Sequence, residues 1–125
     1  TPSANERQFP PQFREADLRL LAGVLGGGAW RMLMPTETLV DVGEWLRNGR
    51  VWACVTDEEV ILLASGRSPF LQKAPAAQLR ESVYNHITGE VVLAPARELK
   101  VKRIRLAAVE GYRLLACIGA PMPPR

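Results

Sequence analysis

The residues of this chain whose types could carry catalysis or hold a metal are few: one histidine, His86, two cysteines, Cys54 and Cys117, and the acidic run Asp57-Glu58-Glu59. A structural zinc site takes about four nitrogen or sulfur ligands at close spacing, which one His and two distant Cys do not provide. His86 stands in Asn85-His-Ile-Thr-Gly89, a turn-forming stretch with no acid placed to orient an imidazole, so it reads as a solvated turn residue. The acidic run joins two apolar segments and reads as a hairpin turn, since a calcium loop needs more oxygen ligands at set intervals. Ser65 and Ser68 lack the flanking pattern of a nucleophile elbow. The triple glycine Gly26 to Gly28 follows a helical pattern instead of preceding one, and it lacks the Lys-Ser or Lys-Thr of a phosphate loop. No catalytic residue, metal or cofactor is therefore expected.

Charge offers more. Arg97, Lys100, Lys102, Arg103 and Arg105 crowd one stretch with Glu98 as its only acid. On a strand, residues of like parity share a face, so this run reads either as a solvated edge strand guarded by charge or as a contact for anions. Together with Arg47 and Arg50, the residues Lys100, Lys102, Arg103 and Arg105 are the candidate ligand-binding set. Trp45 is a candidate contact residue, because an exposed Trp often marks an interaction surface; the alternative is that it folds back over an open end of the molecule. Leu18, Leu21 and Leu25 form an apolar helical face that either docks on the chain's own body or is offered to another chain.

These side chains need a frame. Between about Trp30 and Leu106, short apolar segments recur every ten residues or so with turn residues between them, the pattern of an antiparallel meander. The expected strands are Trp30 to Val42 with a break or bulge at Pro35, Val51 to Val55, Val60 to Ala64, Phe70 to Ala74, Gln78 to Asn85, Glu90 to Ala94 and Lys100 to Leu106. The second and third are apolar at nearly every position, which implies burial on both faces. Helical spacing is expected from about Gln12 to Leu25 and from Ala107 to Ile118, the latter carrying Gly111 at a cost of about 1 kcal/mol relative to Ala. Cys54 and Cys117 sit in apolar runs and read as small buried hydrophobes, while spacing leaves a disulfide between them open.

The chain has 125 residues, 47% of them apolar, and a formal charge of +3 from 16 Lys and Arg against 13 Asp and Glu. That is one ordinary domain with ample core material. The excess of positive charge is mild, and aromatic residues are not interleaved with the basic run, which argues against nucleic acid. No stretch approaches the roughly 18 apolar residues of a membrane span. Residues 1–28 read as a leader and helix, 29–119 as the domain, and 120–125 as a Pro-rich tail.

About seven short antiparallel strands followed by one helix resembles the pleckstrin-homology (PH) superfold, in its bacterial PH-like or GRAM-like branch. The stretches that carry the likeness are Val51 to Ala64, a strand, Thr-Asp turn and strand, and Leu79 to Leu93. The resemblance implies a β-rich α+β fold, a partly closed antiparallel barrel with a C-terminal helix at one end, and a bacterial cytoplasmic setting. It further implies a non-enzymatic module that binds protein or self-associates. Two other functions are carried as alternatives: peripheral binding to anionic phospholipid through the basic set, and a small enzyme of unknown class. Inositide-binding PH domains place a Lys late in the first strand and paired basic residues in the second; here Glu44 intrudes, and Val51-Trp52 follows Arg50. Tyr112 takes the place of the Trp usual in the final helix.

Overall fold

Every second residue of the strand Val51 to Val55 faces one way and the intervening ones the other, so an apolar run of this kind must be covered twice. The structure, a computed structural model that describes residues 13–25, 30–45, 48–95 and 99–119, shows what covers it. Helix α1 (Glu15–Leu25) precedes a four-stranded antiparallel meander of β1 (Met32–Val40), β2 (Gly49–Val55), β3 (Glu59–Ala64) and β4 (Phe70–Pro75). A single 3-10 turn (Ala76–Leu79) leads to a three-stranded meander of β5 (Val83–Asn85), β6 (Glu90–Val92) and β7 (Arg103–Arg105), and helix α2 (Ala108–Ile118) follows. This is a mixed α+β fold, rich in strands, with two antiparallel sheets and two helices.

Val51, Ala53, Val55, Val60 and Leu62 point into a core shared with Val91 and Ile104 of the second sheet and with Leu114, Leu115 and Ile118 of α2. Trp52, Cys54, Ile61 and Leu63 point to the other face, where Leu21, Leu20, Val24 and Leu25 of α1 cover them together with Phe13, Trp30 and Leu33. Phe13 meets Trp52 edge to face, with ring centroids 4.9 Å apart, a favoured aromatic geometry. Cys54 and Cys117 pack against different clusters on opposite faces of the first sheet, and both are free thiols.

The two sheets share no strand ladder. Among the described residues, two side chains make hydrogen bonds that join them instead, one at each outer strand of the four-stranded sheet. Along β1 the register shifts between Pro35 and Leu39, and buried Thr36 holds the irregularity: its hydroxyl donates to Val51 O at 2.7 Å and accepts from Thr38 N at 3.2 Å. Thr38 Oγ1 in turn accepts from Arg105 N at 2.8 Å, linking β1 to β7. On the opposite edge, Gln72 of β4 donates to Val101 O at 2.9 Å and accepts from Lys100 N and Val101 N at 2.8 and 2.9 Å.

Two expected strands are corrected. Gln78 to Asn85 is not a continuous strand: Pro75, with φ of −59°, opens the 3-10 turn, Leu79 is buried beneath it, and only Val83–Asn85 pairs. Ser82 explains part of the interruption, since its hydroxyl accepts from Ala94 N at 2.9 Å where a ladder bond would otherwise lie. The run Lys100 to Leu106 forms a strand only over Arg103–Arg105, flanked by backbone bonds from Leu93 N to Lys102 O and from Leu106 N to Gly89 O, while the amides of Lys100 and Val101 donate to Gln72 instead. No helix among the described residues is long and apolar enough to cross a membrane.

Candidate functional site

Trp45 is held out by its neighbours. Val42, three residues earlier, is 1% exposed and wedged against Gly49 and Gly66, where a Cβ on Gly66 would lie 2.5 Å from Val42 Cβ. Ser68 N donates to Val42 O at 2.7 Å, and Gly43 N to Asp41 Oδ1 at 2.9 Å. From this anchored base the connection carries the indole into solvent, 87% exposed, beside a shallow hollow of about 660 Å³ lined by Asp41, Gly43, Glu44 and Arg67. It does not fold back over the body. Leu39, 57% exposed, lies on the strand that leads into this loop.

The basic candidates separate into different surroundings. Arg47 lies outside the described residues. Arg50, the second residue of β2 and opposite Leu39, and Arg105 line one cavity of about 440 Å³ at the junction of β1, β7 and α2, together with Glu37 and Glu110. Arg103 reaches Glu90 of β6 at 3.6 Å. Lys100 lies elsewhere, with Lys73 on the walls of a groove of about 760 Å³ beside β4. Lys102 is exposed and lines neither. The structure thus brings Arg50 and Arg105 together and leaves Lys100 apart. The two arginines share their hollow with two carboxylates, which lowers its net attraction for an anion.

The leucines of α1 also part company. Leu21 is 1% exposed and lies in the core against the first sheet, and Leu25 packs partly buried beside it. Only Leu18, at 38%, is available to another molecule. The helix docks on its own sheet, since the apolar outer face of β2 and β3 would otherwise meet water.

His86 has partners that its sequence surroundings do not announce. Tyr112 of α2 shares a hydrogen bond between its hydroxyl and His86 Nε2, and the Tyr84 ring meets the imidazole edge on at 5.1 Å. Tyr84 donates its hydroxyl proton to Leu106 O at 3.0 Å. This cluster ties the turn between β5 and β6 to α2. Burial pushes the Cys54 thiol from an ordinary 9.0 up to about 12, which removes the thiolate that a reactive cysteine needs. Among the described residues no three of His, Cys, Asp and Glu converge as a metal site would require.

Sequence reasoning passed over Gln72, Thr38 and Lys73. Each is a polar residue on a strand, and its importance depends on which other segment lies beyond the sheet edge. No model of a known protein family, no curated protein and no solved structure matches this chain.

Proposed function

We propose that this chain is a non-enzymatic interaction module of PH-like build that works by contact with protein, either a partner or a second copy of itself. Four meandering strands followed by three, with a helix last, support the PH-like reading. The side-chain links at Thr38 and Gln72 support a partly closed barrel, since they draw the two sheets together at both outer strands. The observation that carries the functional reading is Trp45, an indole 87% exposed on a loop whose base is locked by Val42. Trp is the side chain most enriched among residues that dominate protein interfaces. A bacterial cytoplasmic setting is what the resemblance implies.

Anionic lipid is the weaker reading, because Arg103 is paired with Glu90 and the Arg50 and Arg105 hollow is shared with Glu37 and Glu110. The test of the protein reading places a photo-crosslinking residue at position 45 in the full chain, in its native cell, and follows solution mass by light scattering from micromolar to millimolar concentration. Adducts of defined mass from position 45, or a dimer that the Trp45→Ala variant lacks, are expected. A monomer at every concentration together with no adduct refutes the reading.

A further inference from the structure

A hollow of about 760 Å³ lies beside β4, where five consecutive strand residues, Leu71 to Pro75, form one wall and Leu99 and Lys100 belong to the other. β4 is the outer strand of its sheet. Its register with β3 decides which backbone groups face this groove. Ala76 N donates to Glu58 O, and those two positions continue the β3–β4 register. In an antiparallel ladder the hydrogen-bonded pairs alternate, so Ala74 and Gln72 turn their N–H and C=O groups toward β3. Leu71 and Lys73 turn theirs outward, into the groove. The Gln72 side chain, bonded to Lys100 and Val101, crosses the gap between β4 and the facing segment.

We infer that this groove receives an extended, acidic segment of a partner protein, which adds as a short strand along β4. Strand addition to an open sheet edge supplies main-chain hydrogen bonds, while flanking side chains select the sequence. The outward groups of Leu71 and Lys73 supply two donors and two acceptors; Pro75 has no donor and ends the pairing there. Leu71, 44% exposed, and half-buried Leu99 give an apolar surface to alternate residues of the incoming strand. Charge selects its sign: among the described residues, the lining presents the ammonium groups of Lys73 and Lys100 against the carboxylate of Glu81. Lys73 lies 3.9 Å from Glu59, and both side chains are solvent-accessible, so an incoming carboxylate competes with Glu59 for it. This inference rests on the interaction-module reading but uses a surface apart from Trp45.

A random dodecapeptide phage library selected on the full chain is the probe, followed by titration of the enriched synthetic peptides into ¹⁵N-labelled protein. Enriched sequences carrying Asp or Glu within an alternating apolar pattern are expected, with the largest amide shifts at Leu71 and Lys73. The Lys73→Glu/Lys100→Glu variant is expected to bind at least 10-fold more weakly, and Trp45→Ala within twofold of wild type. If the double variant loses its fold, Lys100→Gln serves in its place, with a threefold loss expected. No enrichment, peptides without acidic preference, shifts centred away from β4, or a peptide-free dimer that buries the same amides would each overturn the inference. Failure here with crosslinking at position 45 intact removes this groove and leaves the interaction module standing.

Discussion

Gly111 shows how one position can be misjudged from helix propensity. As a glycine in the middle of α2 it weakens the helix by about 1 kcal/mol relative to Ala. A Cβ there would lie 2.6 Å from the Tyr84 ring, so the ring and the helix backbone approach as closely as they do because the side chain is missing. Gly111→Ala is therefore expected to lower stability by about 1 to 3 kcal/mol, the usual range for overpacking, despite its better propensity; urea denaturation measures it, and a stabilised variant would refute the contact. Cys54 gives a second prediction. Its thiol holds its proton to about pH 12 in the folded chain, against 9.0 ordinarily. The folded state thus binds the extra proton between those values, and the thiol's contribution, full below pH 9, declines as pH rises toward 12 by up to about 1.4 kcal/mol per pH unit. The difference in stability between wild type and Cys54→Ala is expected to shrink over that range, and a constant difference would refute the shift.

Helix α1 explains why β2 and β3 are apolar on both sides. Leu21 is its central contact, buried against the sheet, and Leu21→Ala is expected to cost about 2 to 5 kcal/mol, the range for truncating a buried leucine. A hydrophobic dye such as ANS should bind the variant more strongly as the sheet face opens; unchanged stability and dye binding would show that the helix is not a fixed part of the fold. Gln72 does corresponding work at the edge of β4. Gln72→Ala leaves three backbone groups of Lys100 and Val101 without their partner, and a loss of about 1 to 3 kcal/mol is expected. Hydrogen exchange at the Lys100 and Val101 amides should quicken in that variant ahead of the amides of β2 and β3. Equal protection in both proteins would place the link between the sheets elsewhere.

For the molecule entire, the dispersal of the basic residues makes the prediction. Among the described residues, arginines that share a hollow with carboxylates and a lysine in a separate groove do not add up to one positive face, and exposed charges are screened over about 8 Å at physiological salt. Sedimentation with vesicles containing anionic phosphatidylserine is expected to match that with neutral vesicles within twofold at 0.15 M salt. A fivefold or greater excess on anionic vesicles would assign the chain to lipid instead. What the residues disclosed and what they withheld divides along range. The hairpin of β2 and β3 and the extent of α2 were legible from Val51 to Ala64 and from Ala107 to Ile118, because adjacent segments with a tight turn or a helical period are specified by neighbours in the chain. Strand length from Gln78 to Asn85 and from Lys100 to Leu106 was not, since Ser82 and Gln72 divert amides of segments 12 and 28 or more positions away. Local patterning by itself determined an antiparallel, strand-rich α+β chain with a helix at each end. Which basic side chains meet, which face α1 covers and which strand edge stays open were decided only in the folded molecule, because those outcomes depend on contacts between residues that the chain keeps far apart until it folds.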